Sequence, residues 1–135
     1  NNVYPLALDR MTKVSLSKEK FIRNTQCNFD EYFRDIIGVT REEDRKVEEI
    51  HLRFTPSRFP YVVSKPLHPS QQTVSEADCE IVIRVLPNKE LQQKLFSFGP
   101  DVEILSPDWI RRDFAEKIFE TAKKYSSLQA LCKEG

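Results

Sequence analysis

Residues 79–107 read CEIVIRVLPNKELQQKLFSFGPDVEILSP, and this stretch decides the fold. Cys79, Ile81, Ile83 and Val85 alternate with Glu80, Val82, Arg84 and Leu86, the two-residue period of a pleated strand with one buried face. Asn88 stands where an N-cap belongs, since its short side chain can accept from an unpaired first-turn amide. Leu91, Leu95 and Phe98 follow at i, i+4, i+7, the stripe of a helix packed on one side. Gly99 is placed for a left-handed C′ residue and Pro100 blocks continuation, after which Val102 and Ile104 open another strand. The unit reads strand, helix, strand.

Upstream, Val47–Thr55 is a first strand, with Ile50, Leu52 and Phe54 on one face and Glu49, His51 and Arg53 on the other. A proline-rich stretch, Pro56–Pro69, has room for a short helix over Arg58–Ser64 with Ser57 as cap, because Pro60 is tolerated in a first turn. Gln71–Val74 and Cys79–Leu86 pair antiparallel through Ser75–Asp78. Downstream, Ser106 is read as an N-cap and Pro107 as N1 of a helix striped by Ile110, Phe114, Ile118, Ala122 and Tyr125, with a tail expected to fray after Ser126. The order from residue 47 is β-α-β-β-α-β plus a closing helix: an α+β, ferredoxin-like domain whose right-handed crossovers put both helices on one sheet face. The predicted core is Ile50, Leu52, Phe54, Ile81, Ile83, Val85, Leu91, Leu95, Ile104, Phe114 and Ile118.

Before this domain, Val3–Met11 alternates as a strand, with Pro5 favouring an edge. One or two strands make no stable sheet, so this segment belongs to another body or docks on the rest. Asn28–Gly38 reads as a linker helix: Asn28 caps it, Glu31 answers at N3, Gly38 ends it, and Phe29, Phe33, Ile36 and Ile37 form its buried stripe. Arg41–Lys46 is a solvated turn of mixed charge. The expected organisation is closing strands over residues 1–27, linker helix and turn over 28–46, and the ferredoxin-like domain over 47–135. Since the first residue is Asn, the chain is expected to be the C-terminal piece of something longer.

Composition narrows the function. Twenty-one basic and 21 acidic residues give a net charge of +0, which disfavours unaided nucleic-acid binding. No apolar run approaches the ~20 residues that span a bilayer. Cys27, Cys79 and Cys132 are odd in number and widely spaced, without metal-ligand spacing, and fit a reducing cytoplasm; Cys79 is read as a small thiol on the apolar strand face.

Catalytic candidates are few. His68, Ser70 and Gln71 sit in a proline-bounded loop with no evident orienting carboxylate, short of a nucleophile–base arrangement. His51 is flanked by Glu49 and Arg53, the setting of a paired surface histidine rather than a metal ligand. The three glycines form no phosphate loop, and Trp109 is a packing anchor more than a base-stacking platform. No catalytic residue, metal site or cofactor is expected. An RNA recognition motif would stack bases on aromatics of its central strands, and here that face offers His51, Arg53, Val82 and Arg84.

The open sheet face carries apolar side chains among charges: His51, Arg53, Val82, Arg84, Leu86 and Leu105, with Glu49 and Glu103. Grouped with arginine, such residues have the composition of a protein interface. Two readings stay open: a contact with another chain, or cover by the linker helix or N-terminal strand folding back.

YPLALDRM, FDEYFRDIIGV, LHPSQ and NKELQQKLFSFGPDVEILSPDWIRR together resemble the C-terminal part of WYL-domain transcriptional regulators, most specifically over Asn88–Arg112. These are bacterial proteins with an N-terminal winged helix-turn-helix, a central Sm-like barrel named for a Trp-Tyr-Leu run, and a C-terminal extension, WCX. The resemblance implies that Leu8-Asp9-Arg10 closes the barrel and that Arg10 belongs to a basic effector-binding surface for a nucleotide or single-stranded nucleic acid. It implies a cytoplasmic, non-enzymatic regulatory and oligomerisation module that self-associates and touches promoter DNA only through a helix-turn-helix outside this sequence. The alternative is a small-molecule-binding ferredoxin-like enzyme domain, which a cleft lined by several perturbed carboxylates or histidines would favour.

Overall fold

In a computed structural model, residues 6–42 and 44–131 are described, with side chains through residue 126. β1 (Glu48–Phe54) and β3 (Glu80–Val85) lie side by side at the centre of an antiparallel sheet. β2 (Gln72–Ser75) flanks β3 and β4 (Val102–Ser106) flanks β1, giving the order β2–β3–β1–β4. Each crossover skips one strand, β1 to β2 through α2 (Phe59–Ser64) and β3 to β4 through α3 (Lys89–Phe96), so the fold is ferredoxin-like. α4 (Asp108–Leu131) closes the domain.

The period-two pattern does what alternation requires. Ile50 faces Ile83 and Leu52 faces Ile81 in register, and all four are fully buried. Onto them pack Phe59 and Val62 of α2, Leu91 and Leu95 of α3, and Ile110 and Phe114 of α4. Each such side chain contributes roughly 1.5–3 kcal/mol by leaving water. Phe96 stacks on Phe114 with centroids 4.4 Å apart, and Phe98 meets Phe54 edge-on at 5.2 Å.

Several expectations are corrected. Ile118 is 45% exposed and lies outside the core. The reason is length: 24 helical residues run about 36 Å, whereas the seven-residue β1 runs about 23 Å, so α4 overhangs the sheet after Phe114. Ser106 is the last residue of β4 rather than a cap, and the helix begins at Asp108 with the Pro107 carbonyl accepting from Ile110 and Arg111 at 3.1 Å. Ser57 does not cap α2; Arg58 holds that position and spends its guanidinium on Asp101 at 3.1 Å. Cys79 precedes β3 in a left-handed conformation (φ 57°), at the end of the β2–β3 turn, and packs partly buried against the core.

The linker helix is also shorter than its sequence pattern. α1 is Phe29–Tyr32, with Asn28 accepting from the amides of Asp30 and Glu31. It stops because tertiary partners take its continuing acceptors: Arg41 Nη1 donates to the Tyr32 carbonyl at 3.0 Å, and the Leu86 amide donates to that of Asp35 at 2.7 Å. Phe29 and Phe33 stay exposed, while Ile36 is buried. The expected strand over Val3–Met11 falls partly outside the described residues. Within them, Leu8–Arg10 is a single 3-10 turn, since a lone strand has no ladder to join.

Candidate functional site

The most constrained polar region is where residues 35–41 lie against the end of β3 and the start of α3. Asn88, only 6% exposed, uses both ends of its amide. Its Oδ1 accepts the Leu91 amide at 2.8 Å and so caps α3, while its Nδ2 donates to the carbonyls of Ile37 and Thr40, each at 2.8 Å. Glu90 Oε1 accepts from the Thr40 hydroxyl at 2.6 Å and the Thr40 amide at 3.2 Å. Arg41 holds Asp35 bidentately at 2.5 and 3.1 Å, a fork geometry that adds direction to charge. That hydrogen bond holds the Asp35 carboxyl below its ordinary range. Burial would raise Glu90, but hydrogen bonds from the Thr40 side chain and the amides of Glu90, Val39 and Thr40 outweigh it and lower it. Gly38 makes the approach possible, at φ +81° with Glu90 directly beneath it.

The LHPSQ loop is structural. His68 Nδ1 lies 2.8 Å from Ser70 Oγ and accepts the Ser70 amide at 3.2 Å. Ser70 Oγ in turn donates to the Arg84 carbonyl and accepts its amide, closing β3 just beyond the end of β2. Gln71 ties the loop to α2, accepting from the Leu67 amide at 2.9 Å and donating to the Val62 carbonyl at 3.0 Å. His68 also bonds the backbone of Arg34, so it joins this loop to the linker.

Burial holds the His68 imidazole below its ordinary range. An unfolded histidine titrates near 6.5, so between that pH and the lower folded value the unfolded chain binds more protons. Stability is therefore complete above about pH 6.5 and falls as the pH drops through that window. The depressed carboxyls of Asp35 and Glu90 act separately, their contribution being lost only as pH falls below about 4. Urea midpoints at pH 7.5 and 5.5 are expected to differ in the natural chain and to converge in His68→Gln. An unchanged pH dependence in the variant refutes this role.

The open face proves largely self-paired. Arg53 lies between Glu80 (2.6 Å) and Glu103 (3.6 Å), and Glu103 receives Arg111 at 2.8 Å, a chain of alternating charges across three strands. His51 meets Glu49 at 3.2 Å, the surface pairing its neighbours suggest. Val82 and Leu105 are half-buried and Arg84 is exposed. Leu86 departs from the expected face: it is 3% exposed, just past the end of β3, where its amide meets Asp35. The linker thus covers that end of β3, as one of the two readings anticipated. Arg10 lies exposed in its 3-10 turn, away from this region of polar contacts.

No group of three or more metal-ligating side chains occurs among the described residues, and no described helix is long and apolar enough to cross a membrane. The groups with shifted carboxyls or imidazole, Asp35, Glu90 and His68, are engaged in docking the linker. Sequence reasoning found Asn88 as a cap and Gly38 as a left-handed position. It had no signal for the long-range bonds they make.

A sequence model described as the WCX domain matches residues 46–122, more than half of the chain. The chain belongs to the WCX domain family. The match encloses the whole ferredoxin-like sheet and the buried part of α4, and it contains Asn88–Arg112, where the resemblance is strongest. WCX domains are regulator-associated, so this is a module of a WYL-type regulator. Among curated proteins, none matches the chain. Residues 28–41 lie outside the WCX match and yet are joined to it through Asn88, Glu90 and Leu86.

Proposed function

We propose that this WCX module serves a bacterial, cytoplasmic transcription regulator as a non-enzymatic element of oligomerisation and effector response. The supporting observation is the α4 overhang. Ile118 (45% exposed), Phe119 and Tyr125 (62% each) form unpartnered apolar surface on a helix that has run past its own core. Exposed apolar groups concentrated on one element are typical of protein contact sites. Val82 and Leu105 of the open face are a second, smaller contribution, framed by Arg53 and Arg84. Residues 6–22 add exposed Leu6, Leu8, Leu16, Phe21 and Ile22, in keeping with a segment that packs on a neighbouring barrel. Arg10, in that segment, is assigned to the effector surface, with a nucleotide or single-stranded nucleic acid as the effector of the full-length regulator.

Sedimentation of the chain is expected to show a dimer, with Ile118→Glu shifting it to monomer at unchanged melting temperature. Val82→Glu tests the sheet face: dissociation with the fold intact includes it in the interface, and unchanged assembly with a large loss of stability removes it. A natural chain that sediments as a monomer at about 100 μM defeats the oligomerisation reading. Duplex DNA is expected to be contacted only through a helix-turn-helix elsewhere in the regulator. With balanced charge and an ion-paired sheet face, this chain should show no sequence-dependent shift of a DNA duplex at physiological salt.

A further inference from the structure

Between α3, α4 and residues 42–45 lies a cleft of about 120 Å³. Its floor is the outer edge of the core, Leu91 and Leu95 from α3 and Ile110 and Phe114 from α4. At its mouth stands Trp109, 38% exposed, with the Arg45 guanidinium 5.1 Å above its ring. A volume near this size holds about one benzene ring, as apolar cavities of roughly 150 Å³ do.

The charges around the cleft are not balanced. Arg45 pairs with Glu42 at 2.8 Å, and Asp113 receives both Lys117 at 2.7 Å and Gln92 at 3.0 Å. Lys89, at the first turn of α3, makes no ion pair among the described residues. Three cations thus meet two carboxylates, and the surplus cation borders an apolar floor. Small-molecule sites have this construction: an apolar body contact and a few polar groups that fix orientation.

We infer that this cleft binds a small aromatic monocarboxylate, its ring on the Leu91, Leu95, Ile110 and Phe114 floor beside Trp109 and its carboxylate on Lys89. The size of the cleft selects one ring, the flat indole edge favours a planar group, and one unmatched ammonium favours one negative charge. The inference does not depend on the oligomerisation reading. It adds a ligand site to the WCX unit, separate from Arg10, and places Glu42 and Arg45 of the linker turn in contact with that ligand.

The test uses the full chain, with benzoate as probe. Trp109 is the only tryptophan in the sequence, so its emission reports the cleft directly. Benzoate is expected to change that emission saturably with a dissociation constant of about 1 mM, in the range a nine-atom ligand can reach. Acetate, which lacks the ring, should give no saturable change. Lys89→Gln should weaken benzoate at least about fivefold while leaving neutral benzyl alcohol unaffected, since only the carboxylate loses a partner. Amide shifts on titration should centre on Leu91, Ile110 and Phe114. No saturable change up to about 20 mM benzoate overturns the proposal, as does benzoate affinity unchanged in Lys89→Gln. Shifts centred away from the cleft also overturn it.

Discussion

Leu52→Ala is expected to cost about 4 kcal/mol, lowering the melting temperature by roughly 20 °C. Leu52 sits on central β1, fully buried, paired across the sheet with Ile81 on one side and Ile104 on the other. Both neighbours are held by ladder hydrogen bonds and have little freedom to collapse into the vacated space, which puts the cost toward the upper end for such truncations. A domain of this size has a total stability of only about 5–15 kcal/mol, so one truncation removes a large share of it. Ile118→Ala is the matched comparison. It removes as much hydrocarbon from the same apparent stripe of α4, but from a half-exposed position, and should cost under about 0.5 kcal/mol. Equal losses in the two variants, read from denaturant midpoints, would contradict the overhang of α4.

Gly38→Ala is expected to release the linker without unfolding the sheet. A Cβ at this position would lie 2.6 Å from Glu90 Cγ and 2.8 Å from Glu90 Cβ, distances that side chains do not tolerate. The backbone there is also left-handed (φ +81°), costing a residue with a side chain roughly 1–2 kcal/mol. The two effects together should reach about 3 kcal/mol, and they fall on the contact between residues 35–41 and α3. The Leu86 amide, bonded to the Asp35 carbonyl, is the natural reporter. Its hydrogen exchange should accelerate on the order of 100-fold, while amides within the β1–β3 ladder change little. Gly99→Ala separates the two causes. Gly99 is left-handed as well (φ +55°), but no atom lies within 4 Å of a Cβ placed there, so only the backbone cost of roughly 1 kcal/mol should appear. If Gly38→Ala and Gly99→Ala behave alike, the close packing of Gly38 on Glu90 is refuted.

The sequence by itself determined the sheet. Alternation in Glu48–Phe54 and Glu80–Val85, the cap at Asn88, the Leu91–Leu95 spacing and the turn at Gly99–Pro100 are local signals, each read within a few residues. They agree with one another, and the ferredoxin-like order follows from them with ten of the eleven predicted core residues buried. The site residues were less legible. His68, Ser70 and Gln71 were visible as a cluster, but which carbonyls and amides they hold depends on Arg84, Val62 and Arg34, each distant in sequence. Tertiary structure alone decided that the helix begun at Asn28 stops at Tyr32, because Arg41 and Leu86 compete for its carbonyls. It alone decided that Leu86 is inside and Ile118 outside: a periodic stripe records which face of an element is apolar, not how far along that element there is a partner to cover it.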